Sequence, residues 1–185
     1  MMARKMKPRV LVFLALCVAL NLVGGNLALL LRLPVYLDTL GTILAAACLG
    51  PWAGMLVGLT GSLVTGLTTD LFSLYYLPVQ LIVGLTAGLV YRYRPQAQAK
   101  NVWWRALAIS LPGTLISTLI TVLLFNGITS SGSSLLVQLL AGLGLGKTAA
   151  VFIVQVGTDY LDRVIGVAFV AAVYRVVTTR LAVHH

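Results

Sequence analysis

A chain of 185 residues that is 59% hydrophobic and only 9% charged, with a mean hydropathy of +1.01, falls outside the range of ordinary soluble domains. Its net charge of +9 comes from 13 Lys and Arg against four Asp, and the cations gather at the ends of apolar runs. Retention of cationic loops in the cytoplasm and contact with anionic lipid account for that placement, and no hydrophilic domain is present to bind nucleic acid. The length leaves room for about six spans of roughly 20 residues.

Arg4, Lys5, Lys7 and Arg9 precede the first apolar run, residues 10–31. A basic start before an apolar stretch also describes a signal peptide, but no small-x-small cleavage pattern follows at a polar boundary, so the run reads as a retained span. Arg32 and Pro34 end it, and Tyr36-Leu37-Asp38-Thr39 opens a second span over 36–50. Gly50-Pro51 is an uncharged turn, and the third span runs back over 52–67. These two middle spans hold only about 15 residues each, roughly 22 Å as helix against a core of about 30 Å. Such short helices suit a bundle whose ends line a water-filled cavity.

Asp70 lies in the next loop, and the fourth span, 74–91, ends at Arg92-Tyr93-Arg94-Pro95. A polar linker over 96–101 leads to the fifth span, 102–125, which carries a kink signal at Pro112-Gly113. Asn126 to Ser134 is a turn-rich loop. The stretch 135–155 is apolar but broken by Gly142, Gly144, Gly146 and Lys147, and the last span, 160–177, has Arg175 near its end and Arg180 just after it. A full crossing by 135–155 would put that basic end outside, so the stretch reads as an outer or re-entrant segment. The expectation is an all-α integral membrane protein in one domain: a six-helix transmembrane bundle, both termini cytoplasmic, with an outward-facing ligand pocket. Long apolar runs without period-2 alternation argue against a barrel.

All four carboxylates, Asp38, Asp70, Asp159 and Asp162, then fall at the outer end. Catalytic equipment is lacking: the chain has no Glu, and its two histidines are the terminal His184 and His185, read as a solvated tail. Cys17 and Cys48 lie within apolar runs with no His near them, so neither a metal set nor a disulfide is expected. Gly144-Leu145-Gly146-Lys147-Thr148 imitates part of a nucleotide-binding loop, but Ala141 stands where its first Gly belongs. The chain reads as a non-enzyme without cofactor or metal, and any energy for active transport comes from ion gradients or partner subunits.

Polar groups at membrane depth are costly and mark a binding or conducting path. The candidate ligand contacts are Asn26, Tyr36, Asp38, Asp70, Tyr75, Tyr76, Gln80, Asn126, Asp159 and Asp162. Aromatic faces with a few hydrogen-bonding groups suit a flat, polar heterocycle. Each has a structural alternative. The tyrosines fit an interfacial belt, Asp38 and Asp70 fit helix-capping or loop positions, and Asp162-Arg163 fits an ion pair holding a loop. Two small-residue pairs, Ala15-x-x-x-Ala19 and Gly54-x-x-x-Gly58, permit close helix approach, whether to another subunit or inside the bundle.

Four segments in this order resemble the substrate-binding S components of energy-coupling factor (ECF) transporters, a vitamin-uptake family. They are Ala15-x-x-x-Ala19, Leu37-Asp38-Thr39-Leu40-Gly41-Thr42, Leu49-Gly50-Pro51-Trp52-Ala53-Gly54 with Gly58, and Asp159-Tyr160-Leu161-Asp162-Arg163 with Val164-Ile165-Gly166-Val167. The resemblance implies a multi-pass subunit of a bacterial or archaeal cell (inner) membrane. It would capture a vitamin or related small heterocycle at the outer face, then topple in the bilayer to release it. Its partners would be a coupling transmembrane subunit, docked through Ala15 and Ala19, and two cytoplasmic ATPase subunits. Riboflavin, a pyridoxine- or pyrimidine-like precursor and a modified purine-like base are the candidate substrates. The alternative from another class is a non-transporting membrane scaffold that binds another membrane protein and whose cavity is filled by side chains. A stand-alone ion-coupled carrier would need carboxylates at mid-membrane.

Overall fold

Pro8 starts the first helix where its missing N–H costs nothing, and an uncharged run carries it on to Leu30. The computed structural model describes residues 7–93 and 101–181. Arg4, Lys5, Arg94, Lys100, His184, His185 and all but the last residue of the 96–101 linker lie outside the described residues. Helix α1 (Pro8–Leu30) is followed by α2 (Leu40–Leu49), α3 (Pro51–Thr68), the single turn α4 (Phe72–Tyr75), α5 (Leu77–Tyr93), α6 (Val102–Phe125), α7 (Ser133–Gly142) and α8 (Lys147–Leu181). All regular structure among the described residues is helical.

Helix α2 is the axis of the bundle. Every residue from Gly41 to Cys48 is buried, and α1, α3, α5 and α8 all pack on it. Its sequence, Leu-Gly-Thr-Ile-Leu-Ala-Ala-Ala-Cys-Leu, supplies the small side chains that so crowded a position needs. At Gly41 the fit is closest: a Cβ there would collide with the Cys17 carbonyl oxygen of α1. Gly54 and Gly58 face inward, where a Cβ on Gly54 would lie 2.6 Å from the Ala46 Cβ and one on Gly58 3.0 Å from Gln80 Oε1. This glycine pair therefore packs α3 against α2 and α5 within the bundle, one of the two uses the sequence allowed.

Two boundaries differ from expectation. The second run is helical only from Leu40. Residues 31–39 are irregular, because Pro34 interrupts the helix and Arg32 and Leu37 take left-handed conformations, with φ of 50° and 52°. The last helix does not begin near 160. It begins at Lys147 and runs unbroken for 35 residues, so the stretch read as one segment over 135–155 is α7, an exposed turn and the first turns of α8. Gly144, at φ 96°, makes that turn, and the nucleotide-loop-like residues 144–148 are part of it and solvent-facing.

The distribution of residue types is inverted relative to a water-soluble bundle. On α6, Ser110, Thr114, Ser117 and Thr121 are buried whereas Leu107, Leu111, Leu115, Leu119 and Leu123 are exposed. On α1, Asn21, Gly24 and Gly25 are buried and Leu11, Val12, Leu16, Val23, Leu27 and Leu30 exposed. A continuous apolar surface of this extent needs an apolar surrounding. Among the described residues, α1 and α6 are the two helices long and apolar enough to cross a membrane by length and composition.

The bundle has an acidic and a basic end. Lys7 and Arg9 stand at the start of α1, and Arg92 lies beside Gly50, Pro51 and Tyr174 around an inner-turn cavity. The Arg105 guanidinium sits 4.7 Å from the centre of the Tyr91 ring at that end, and the inner-turn cavity there measures about 320 Å³. The opposite end carries the site.

Candidate functional site

A cavity of about 80 Å³ opens at the acidic end between the C-terminal halves of α1 and α3, the start of α5, the last half of α6 and the middle of α8. Its floor is set by one side chain of α1. Asn21 Oδ1 accepts from the Gly41 and Thr42 N–H groups at 2.7 and 3.3 Å, and Asn21 Nδ2 donates to Thr42 Oγ1 at 2.8 Å. Helix α2 is thus capped by a residue 20 positions away, not by Asp38 at its own entrance.

Asp38 is used differently. Its carboxylate accepts from Gln80 Nε2 at 2.8 Å, and Gln80 Oε1 in turn accepts from Thr42 Oγ1 at 3.2 Å. Gln80 has room only because Gly58 faces it. On the far wall, Asp159 Oδ2 accepts from Thr114 Oγ1 at 2.9 Å and Ser117 Oγ at 3.0 Å. Tyr76 OH lies 2.5 Å from Thr121 Oγ1, which also accepts from Gln155 Nε2 at 2.7 Å.

Asp162 holds the site together from behind. It is fully buried, accepts from the Leu37 N–H at 2.7 Å and Thr39 Oγ1 at 3.1 Å, and is ion-paired with Arg163. Those bonds fix Leu37 in its left-handed conformation, an arrangement that costs a bulky residue about 1–2 kcal/mol. Gly24 completes the clamp, since a Cβ there would strike the Leu37 carbonyl oxygen. The ion-pair use of Asp162 is the one found.

Six of the ten candidate contacts, Tyr36, Asp38, Asp70, Tyr76, Gln80 and Asp159, line the cavity. The other four stand apart from it. Asn26 bonds back to the Leu22 carbonyl of its own helix at 2.8 Å. Tyr75 is half exposed and sits edge-on to Phe125 at 5.2 Å between ring centres. Asn126, at φ 51°, ends α6. Asp162 lies behind the wall as described. At the mouth, Asp70 accepts from the Phe72 N–H at 3.3 Å and from Ser130 Oγ at 2.8 Å, joining two loops. Tyr36 OH is 3.3 Å from Ser133 Oγ.

The wall also contains residues that sequence reasoning passed over as contacts: Asn21, Ser62, Thr65, Ser117, Ser130 and Arg163. Ser117 had a visible signal. Ser110, Thr114, Ser117 and Thr121 recur at intervals of four, three and four, one face of a helix. Ala15 and Ala19 are exposed on one face of α1, away from the cavity, where their small side chains leave a shallow apolar surface.

No curated protein and no solved structure matches the chain. A family profile does, over residues 9–177: "ECF transporter, substrate-specific component". With that match covering nearly the whole bundle, the chain belongs to the family of substrate-specific components of ECF transporters.

Proposed function

We propose that this chain captures a vitamin or related small heterocycle in the cavity at its acidic end and delivers it for ATP-driven uptake. Family membership makes it a membrane-embedded transporter subunit with a small-molecule substrate, not an enzyme. In our reading the bundle crosses the cell (inner) membrane of a bacterium or archaeon six times with both termini in the cytoplasm. The acidic end opens outward, and Tyr36, Asp38, Asp70, Tyr76, Gln80 and Asp159 contact the solute. The exposed α1 surface around Ala15 and Ala19 docks on a coupling transmembrane subunit that works with two cytoplasmic ATPases.

The observation that carries this reading is the cavity itself. A scaffold would fill that space with side chains, whereas here polar groups from six helices and three loops converge on unfilled volume beside aromatic rings. Separation of capture from coupling supplies the test. With Ala15→Trp and Ala19→Trp together, the purified protein is expected to bind its solute as wild type does, because neither residue lines the cavity. ATP-dependent uptake by cells or proteoliposomes carrying the partner subunits is expected to fall at least ten-fold. Normal uptake by the double variant overturns the docking surface.

A further inference from the structure

The charge of the cavity selects its cargo. Three carboxylates, Asp38, Asp70 and Asp159, line it, and Arg163 is the one cationic side chain among the described lining residues. That guanidinium is already engaged by Asp162, itself fully buried. The three lining carboxylates are therefore left without a cation of their own in a pocket walled by low-dielectric protein, where an opposite charge is favoured.

One atom gives the ligand's pattern. Asp159 Oδ2 is occupied by Thr114 and Ser117, and its other oxygen accepts no hydrogen bond among the described residues. It is an acceptor left for a ligand donor. Arg163, the one cation among the described lining residues, is 4% exposed; its Nη1 is bonded to Thr39 and Asp162, and its Nε–H is closed off from the cavity. The rings of Tyr36, Phe72 and Tyr76 border the same space and suit a flat, positively charged partner.

We propose that the cargo is a cationic heterocyclic amine. A protonated nitrogen lies against Asp159 and Asp38. Heterocycles bearing a carboxylate or phosphate are excluded. This rests on the solute-binding reading above and narrows it.

The full chain, purified in detergent, is tested by calorimetry against ring-matched probes that differ in charge. One set is pyridoxamine, pyridoxine and 4-pyridoxate; the other is 4-amino-2-methylpyrimidine carrying a 5-aminomethyl, 5-hydroxymethyl or 5-carboxylate group. Small molecules released on denaturing the protein are identified by mass spectrometry. Expected are a cationic solute bound tightest, at least ten-fold over the carboxylate of the same ring, and a released solute that is cationic at neutral pH. Asp159→Asn keeps an oxygen for Thr114 and Ser117 and is expected to reduce the cation preference at least ten-fold at unchanged melting temperature; should it fail to fold, Asp38→Asn provides the same readout. A neutral or anionic solute bound tightest, or a charge ranking unaltered in the folded variant, overturns the assignment of charge and leaves solute capture standing. A protein that binds no probe and releases no solute overturns solute capture itself.

Discussion

Asp162 and Arg163 show how one pair of adjacent residues decides the shape of the site. The pair is buried, so its net worth to folding is modest, but the loss of one member leaves the other uncompensated. Asp162 also accepts from the Leu37 N–H and the Thr39 hydroxyl, so it anchors the 31–39 segment that carries Tyr36 and Asp38 into the cavity. We expect Asp162→Ala to destabilise the protein by about 3–5 kcal/mol, the range for a broken buried pair, and to weaken solute binding. In the double variant with Arg163→Met the stability is expected to recover in large part while binding does not, because the loop stays unanchored. Denaturant titration of the purified variants beside a binding assay checks both halves. Equal stability losses in the single and double variants would count against an uncompensated Arg163 as the cause.

Helix α6 places a hydroxyl stripe toward α8 and a leucine stripe away from it. The hydroxyls of Thr114 and Ser117 are the donors that hold the Asp159 carboxylate in the cavity wall. Thr114→Val with Ser117→Ala keeps nearly the same volume but removes both donors, each of which contributes about 1.5–3 kcal/mol as a bond to a charged group. The expected result is a folded protein with a lower melting temperature and a solute affinity reduced at least ten-fold. The same pair of substitutions at exposed Leu111 and Leu115, to Val and Ala, is expected to leave affinity unchanged. How far this could be read from sequence follows from the same helix. Apolar runs and Gly-Pro punctuation mark α1, α3 and α6 to within a few residues, and the Ser/Thr interval of four, three and four was present to be counted. The trans cap by Asn21, the room that Gly58 leaves for Gln80 and the burial of Asp162 depend on residues 20 to 125 positions apart. Such contacts leave no local trace. The start of α8 was hidden for another reason: in sequence Gly142, Gly144, Gly146 and Lys147 read as breaks within one outer or re-entrant segment, whereas they mark the junction between α7 and a helix that packing on α6 and α7 stabilises.

At the scale of the whole molecule, charge and exposure describe the same axis. Every carboxylate sits at or just behind the cavity end, and the described Lys and Arg other than Arg32, Lys147 and Arg163 gather toward the other. Between them runs a belt of exposed leucine and valine on α1 and α6. In water that belt would be a strong driver of aggregation, whereas in lipid it is the ordinary exterior and the buried Ser, Thr and Asn become the adhesive between helices. Helix α8, at 35 residues, is about 52 Å long and exceeds a hydrocarbon core of about 30 Å, so one of its ends projects beyond the belt. The exposed stretch 143–149 identifies that end as the acidic one, since it precedes Asp159 of the cavity wall on the same helix. Cationic loops are retained on the cytoplasmic side, which turns the axis into an orientation that can be measured. Thr69→Cys at the cavity mouth is expected to react with a membrane-impermeant maleimide in intact cells. Gln98→Cys, in the basic linker, is expected to react only after the cells are opened. Native Cys17 and Cys48 are buried and provide the unreactive background. The reverse pattern, with position 98 labelled in intact cells and position 69 protected, would turn the cavity toward the cytoplasm and remove the basis for capture from outside.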